Sequence, residues 1–237
     1  MGVNDECNRQ KKNMKKICLC ITNYKKEEFL ERSIRSCISQ IPYEMEIEII
    51  IVNDGSKKFD KKKLLKEFPT LRILDYKKNQ GVAYASNLAL KKTQSDYFMR
   101  VDADDYLGMK SCLILSSILN DNPEFSFVYG DILEIDKNFN TKILKREKRE
   151  VLLSHGAGIM FRTKHLNKIK GYNNKLKNCE DFDLIVRMEK RYGKGYYIPV
   201  SYYRYYKTEG NHLSSSKNRT KYLKSLKKKY EKYLSKN

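Results

Sequence analysis

The chain has 237 residues, of which 40% are hydrophobic and 33% charged, so it has the composition of a folded domain and not of a collagen-like or low-complexity chain. Lys and Arg number 49 against 29 Asp and Glu, and this formal charge of +20 favours anionic partners: nucleic acid, anionic lipid or phosphorylated substrates. No apolar run reaches the roughly 18–20 residues of a membrane span. The polar N-terminus lacks the apolar segment of a signal peptide, so we expect a cytoplasmic location.

Strands and helices alternate in the first half of the chain. Short apolar runs predict buried strands at Ile17–Ile21, Ile47–Val52, Leu71–Leu74 and Tyr97–Val101. Apolar residues at helical spacing predict the intervening helices, at Glu27–Gln40, Lys61–Phe68 and Gly81–Lys92. This alternation is typical of a parallel sheet with helices on both faces, in which ligands bind beyond the carboxyl ends of the strands.

The second half of the chain is less regular. Its patterns predict helices at Met109–Leu119 and Glu180–Tyr192, and strands at Phe125–Ile135, Ile159–Phe161 and Tyr196–Tyr206. No internal repeat or linker separates two domains. We therefore expect one α/β domain over residues 16–216 and a basic tail over residues 217–237.

The acidic turn after the fourth strand is the first chemical clue. Alternate residues leaving a strand point the same way, so Asp102 and Asp104 can face one site. Paired carboxylates repel unless a cation or proton intervenes, and Mg²⁺ or Mn²⁺ commonly bridges carboxylates to phosphates. The alternative is a solvated acidic turn. An EF-hand is excluded because Tyr106 occupies a position that needs an oxygen ligand.

Two more polar loops follow predicted strands. They are Thr22-Asn23-Tyr24 and Asn53-Asp54-Gly55-Ser56. Three such loops would line a single crevice that suits a nucleotide, since a carboxylate can accept the imide N–H of a base and an aromatic ring can stack on it.

Five motifs follow one another along residues 16–216: Thr22-x-Tyr24, Ile49–Ser56, Asn79–Asn87, Val101–Asp105 and Glu180-Asp181-Phe182-Asp183-Leu184-x-x-Arg187. In this order and spacing they resemble the family 2 glycosyltransferases, inverting enzymes of the GT-A fold that use nucleotide-sugars. This resemblance implies a Rossmann-like, mostly parallel sheet flanked by helices. Residues 16–106 would form the nucleotide-sugar-binding half and residues 107–216 the acceptor-side half.

The resemblance also implies roles for individual residues. The nucleotide-sugar would contact Thr22, Tyr24, Asp54, Asn79, Gly81, Asp102, Ala103 and Asp104, with Asp54 on the base, usually uracil. The Mn²⁺ or Mg²⁺ ligands would be Asp104, Asp102 and, by a looser match, His212, for which the alternative is an exposed histidine in a polar loop. Asp181 matches the general base, and its neighbour Glu180 is the other candidate.

Some residues depart from the family pattern. Ile21 stands where a proline usually precedes the threonine, and Phe182 stands where tryptophan often follows the acidic pair, which leaves the acceptor open. The chain has no Trp, so the Gln-x-x-Arg-Trp signature of processive synthases is absent and we expect one sugar per encounter. The Gly156-Ala157-Gly158 loop either lines the acceptor side or is simply a tight turn.

The tail from residue 217 to 237 has nine Lys or Arg and one Glu. Its apolar residues fall on one helical stripe: Leu223, Leu226, Tyr230, Tyr233 and Leu234. Such a helix either lies on an anionic membrane, making the protein peripheral to the inner face of the cytoplasmic membrane, or packs its stripe on the domain.

The predicted function is therefore a metal-dependent, inverting transfer of a sugar from a nucleotide-sugar, with UDP favoured, to a hydroxyl of a glycan or lipid-linked glycan. We expect a role in making a bacterial surface glycan. The alternatives are a non-catalytic binding module of the same fold and a basic nucleic-acid-binding protein. Scattered lysines and acidic strand-end loops argue against nucleic acid as a partner.

Overall fold

A computed structural model of the chain describes residues 14–207 and 217–235. Its strands are β1 (Lys15–Asn23), β2 (Met45–Asp54), β3 (Arg72–Tyr76), β4 (Tyr97–Asp102), β5 (Tyr106–Leu107), β6 (Phe127–Asp136), β7 (Thr141–Leu144), β8 (Met160–Arg162) and β9 (Tyr196–Lys207). Its helices are α1 (Glu27–Ile38), α2 (Lys61–Glu67), α3 (Val82–Lys92), α4 (Ser111–Asp121), α5 (Arg149–Leu152), α6 (Thr163–Lys168), α7 (Glu180–Tyr192), α8 (Lys217–Lys229) and α9 (Glu231–Leu234).

All of these strands join one sheet, in the order β3-β2-β1-β4-β8-β6-β9-β5, with β7 added beside β6. The pairs β1–β2, β1–β4 and β2–β3 are parallel, as the alternating pattern predicted. Strand β1 is buried on both faces: Ile17, Leu19 and Ile21 pack into one hydrophobic cluster, and Cys18 and Cys20 into the other. Burial on both faces explains why residues 17–21 of β1 are a continuous apolar run.

The second half extends the sheet with antiparallel pairs, β4–β8, β6–β8 and β5–β9, while β9 runs parallel to β6. Helix α7 has the predicted bounds. The sequence patterns missed β5, β7, α5 and α6. Strand β7 is four residues long with mostly exposed side chains, and β5 has two residues, so neither carries a readable apolar period.

The C-terminal helices pack on the domain. Leu226 and Tyr230 are buried in the cluster that holds Phe182 of α7, and Leu223, Tyr233 and Leu234 are partly buried against it. The apolar stripe therefore faces the protein, which is the second of the two alternatives for this tail. Within the ranges the structure describes, no helix is long and apolar enough to cross a membrane.

Candidate functional site

The carboxyl ends of β1, β2 and β4 bring the predicted donor loops together. In the sheet register Thr22 lies opposite Asp102, and Asn23 lies opposite Asn53. Thr22 Oγ1 donates to Asp102 Oδ1 at 3.3 Å, and Asn23 Nδ2 donates to Asn53 Oδ1 at 3.3 Å. The loops after β1, β2 and β4, which contain Thr22, Asp54 and Asp102, thus lie along one edge of the sheet, the donor edge, as expected for parallel strands that end side by side.

Tyr24 follows directly on this edge. Its side chain is 41% exposed, whereas the neighbouring Asn23 is fully buried. Lys25 Nζ lies 5.2 Å from the centroid of this exposed ring, so a planar ligand could stack on the ring beside a lysine.

The Asp54 carboxylate organises the loop that precedes α3. It accepts hydrogen bonds from Asn79 Nδ2 at 2.9 Å, from the Gln80 amide at 2.6 Å and from the Gly81 amide at 2.8 Å. Gly81 has φ +94°, a conformation that favours glycine. Asp54 is only 3% exposed, so these donors and the loop that carries them cover its carboxylate. The structure brings Asp54, Asn79 and Gly81 together, and the sequence did not indicate that they bind one another.

Arg100 joins the donor edge to the acidic start of α7. Its guanidinium is buried and meets Asp181 at two points, Nη1 to Oδ1 at 3.0 Å and Nη2 to Oδ2 at 3.1 Å. Its Nε lies 3.0 Å from Asp102 Oδ1, and its Nη1 lies 3.3 Å from Glu180 Oε1. One guanidinium therefore gathers Asp102, two positions away in sequence, with Glu180 and Asp181, which are about 80 positions away.

Arg100 was missed by sequence reasoning. The signal was present, because a single arginine interrupts the apolar strand Tyr97-Phe98-Met99-Arg100-Val101. A charged residue in a strand that is buried on both faces needs a buried partner.

Glu180 and Asp181 differ in their surroundings. Burial and the adjacent Asp181 carboxylate raise the pKa of Glu180 to about 7, against the opposing charge of Arg100. Asp181 also accepts a hydrogen bond from the Gly156 amide at 3.2 Å. A Cβ at Gly156 would overlap the Asp181 carboxyl, so the Gly156-Ala157-Gly158 loop reaches the site by close backbone approach.

The remaining carboxylates of the acidic turn have separate partners. Asp104 Oδ2 lies 2.8 Å from Lys26 Nζ, and the Asp104 carbonyl accepts from Arg32 Nη2 at 2.6 Å. The Ala103 amide donates to the Thr22 carbonyl at 3.2 Å. Asp105 is buried and accepts from Tyr203 Oη at 2.7 Å and from the Tyr206 amide at 2.9 Å. Asp105 thus ties the turn to β9.

A divalent cation is compatible with this turn. Mg²⁺ and Mn²⁺ take carboxylate oxygens and complete their shells with water and substrate phosphates. Both candidate ligands are already ion-paired, Asp104 with Lys26 at 2.8 Å and Asp102 with Arg100 at 3.0 Å, so a metal supplied with a diphosphate would take the place of Lys26 at Asp104. Among the residues that the structure describes, no three His, Cys, Asp or Glu side chains are grouped to hold a metal on their own. His212 lies outside the described residues.

Comparison with known proteins decides the family. The sequence profile described as "Glycosyl transferase family 2" matches residues 18–182, a stretch that contains the motifs from Thr22 to Asp181. The chain belongs to glycosyl transferase family 2. The resemblance read from the sequence is thereby confirmed.

The relatives of this family 2 chain are larger proteins. It is 36% identical over 101 residues to a teichoic acid poly(glycerol phosphate) polymerase of Staphylococcus epidermidis, covering 40% of this chain and 14% of that one. It is 26% identical over 191 residues to a chondroitin synthase of Pasteurella multocida, covering 73% of this chain and 19% of that one. The matched stretch therefore covers less than a fifth of the length of either relative.

A solved structure supports the fold. S. aureus TarS in complex with UDP-GlcNAc superposes with a TM-score of 0.70 at 18% identity, covering 85% of this chain and 61% of that one. The predicted GT-A fold, with its mostly parallel sheet flanked by helices, is confirmed.

Proposed function

We propose that the protein is an inverting glycosyltransferase that moves one sugar per encounter from a UDP-sugar to a hydroxyl group. The observation that carries this proposal is the single site in which Arg100 joins Asp102 of the donor edge to Asp181 of α7. The names of the relatives support it, because TarS binds UDP-GlcNAc and the chondroitin synthase is a polysaccharide synthase.

The residues suggest how the reaction proceeds. The base and ribose would lie along Tyr24, Asp54 and Asp102, with the diphosphate near Asp104. Asp181, which is paired with Arg100 and accepts a hydrogen bond from the Gly156 amide, would take the proton of the acceptor hydroxyl as that oxygen attacks the anomeric carbon. The bond to the nucleoside diphosphate breaks on the opposite face, which inverts the anomeric centre. A Mn²⁺ or Mg²⁺ ion bound at Asp104 would stabilise charge on the leaving diphosphate.

The acceptor in this proposal is a glycan or lipid-linked glycan of a bacterial surface polymer, reached from the cytoplasmic side of the membrane. Helix α8 has exposed lysines at 221, 224, 227 and 228, while its apolar stripe faces the domain. Contact with an anionic membrane would accordingly be electrostatic, without insertion of side chains into the bilayer.

Calorimetric titration of UDP tests the donor site. We expect UDP to bind more tightly with Mn²⁺ than without it, and we expect Asp104→Ala to abolish the metal-dependent part. Asp121→Ala, which removes an exposed carboxylate at the end of α4, is the matched control and should bind as wild type does.

The outcomes separate the alternatives. Binding of UDP without turnover of any UDP-sugar would favour a non-catalytic module of the same fold. No binding of UDP, GDP or dTDP under any condition would refute the proposed function.

A further inference from the structure

We propose that Arg100 is a positioning residue of the transfer reaction, holding the Asp181 carboxylate in one orientation beside Asp102. This inference rests on the proposed function, because it takes Asp181 as the group that receives the acceptor proton. It goes beyond that function by assigning a role to a buried arginine that does not itself touch the reacting atoms.

The geometry of the pair distinguishes Asp181 from Glu180. Two parallel N–H···O bonds from a planar guanidinium fix both the place and the rotation of a carboxylate. Asp181 receives two such bonds, at 3.0 and 3.1 Å, whereas Glu180 receives one at 3.3 Å. Asp181 is therefore the oriented carboxylate of the two.

The loop of residues 156–158 bonds to both members of the Arg100–Asp181 pair. The Gly158 amide donates to the Arg100 carbonyl at 2.8 Å, and the Gly156 amide donates to Asp181 Oδ2 at 3.2 Å. The backbone of β4, the loop of residues 156–158 and the first turn of α7 thus form a ring through Arg100. The Asp181 side chain still keeps 12% exposure, which leaves it accessible to an acceptor hydroxyl.

The burial of Arg100 in an apolar strand argues against a role in stability alone. It lies in β4 opposite Cys20, with its side chain 4% exposed. A buried ion pair is often no more stabilising than apolar residues of similar volume, because desolvation offsets the attraction. A strand that is otherwise apolar gains little stability from this arginine, but the site gains a fixed carboxylate.

Kinetics of Arg100→Lys test the inference. Lysine keeps the charge but loses the two-point fork, so Asp181 is free to rotate. We expect kcat for transfer to fall by about 100-fold, the scale of a misplaced catalytic group. We expect the KM for the UDP-sugar and the affinity for UDP to change much less than kcat, since Asp102 loses one ion-pair partner but keeps Thr22, and the contacts of Tyr24, Asp54 and Asp104 are retained.

Two further variants make the test specific. Gly156→Ala crowds Asp181 from the opposite side without altering any charge, and it should give the same loss of kcat at unchanged KM. Arg162→Lys changes a partly buried arginine that bonds the Phe125 and Leu119 carbonyls, and it should leave kcat near the wild-type value. Circular dichroism and UDP titration establish that each variant is folded.

The results discriminate the inference from the function on which it rests. If wild type transfers sugar and both Arg100→Lys and Gly156→Ala keep kcat within about threefold, the positioning role is wrong and the proposed function stands. If activity in Arg100→Lys falls only in proportion to the folded fraction, the arginine is structural and the inference is again wrong. If wild type neither binds nor turns over a nucleotide-sugar, the proposed function itself fails.

Discussion

Removal of one hydroxyl, in Tyr230→Phe, tests how the C-terminal helices are attached to α7. Tyr230 Oη donates to Asp183 Oδ1 at 2.6 Å, and the Asp183 side chain is fully buried. Asp183 keeps Lys229 Nζ at 2.9 Å and Arg187 Nε at 2.6 Å, so the variant does not leave its charge unpaired. The stacking of ring 230 on Phe182 is also kept. A hydrogen bond to a charged group contributes about 1.5–3 kcal/mol, and we expect a loss near the lower limit, about 1.5–2 kcal/mol.

The pH dependence of this loss follows from Asp183. Burial raises its pKa, but hydrogen bonds from Tyr230, Lys229 and Arg187 and the charge of Arg187 outweigh burial and hold the pKa below its usual value. A carboxyl whose pKa is depressed by folding stabilises the protein above its unfolded pKa of about 3.9, and this contribution is lost as the pH falls through the folded pKa. The difference between wild type and Tyr230→Phe should therefore be larger at pH 7 than at pH 3.

Urea unfolding at both pH values measures the free energy directly. Tyr43→Phe, at a position 63% exposed, is the matched control and should change stability by no more than about 0.5 kcal/mol. A loss for Tyr230→Phe no greater than that of the control at pH 7 would refute the reasoning, and so would a loss that does not depend on pH.

Two further predictions concern the acidic site and the basic helix. Burial raises the pKa of Glu180 to about 7, so the free energy of unfolding falls as the pH rises from about 4.5 to 7. Glu180→Gln removes this loss, and its free energy of unfolding should exceed that of wild type by on the order of 1–3 kcal/mol between pH 5 and 8. Thermal unfolding against pH checks this, with the exposed Glu124→Gln as control, and parallel curves for wild type and Glu180→Gln would contradict it. Lys221→Glu with Lys224→Glu should weaken binding to anionic vesicles by at least about 2 kcal/mol, whereas Lys61→Glu with Lys62→Glu on α2 should have little effect. Equal effects of the two pairs in a vesicle co-sedimentation assay would remove α8 as the membrane contact.

Much of the fold was predictable because the signals are local. Strand β1 and helix α7 carry their apolar period within their own residues, and α7 begins and ends at the predicted positions. The polar loops after β1, β2 and β4 were likewise predicted from their residues, and the geometry of parallel strands places such loops at one edge of the sheet.

The division of the chain into residues 16–106, 107–216 and 217–237 stays a prediction. So do the metal at Asp104 and Asp102 and the roles of Thr22 and Tyr24. His212 falls outside the described residues.

The sequence by itself determined the alternation of elements, the family and the composition of the donor loops, because each depends on residues that are close together in the chain or on the order of the motifs. Tertiary structure decided which of these groups bind one another. Arg100 meets Asp181 across 81 positions, and Asp54 meets the Gly81 amide across 27; such distant pairings leave no periodic trace. An apolar stripe of this spacing suits a protein core and a membrane surface equally well, so the sequence could not decide between them. The tertiary structure shows that the stripe of α8 and α9 packs against the domain.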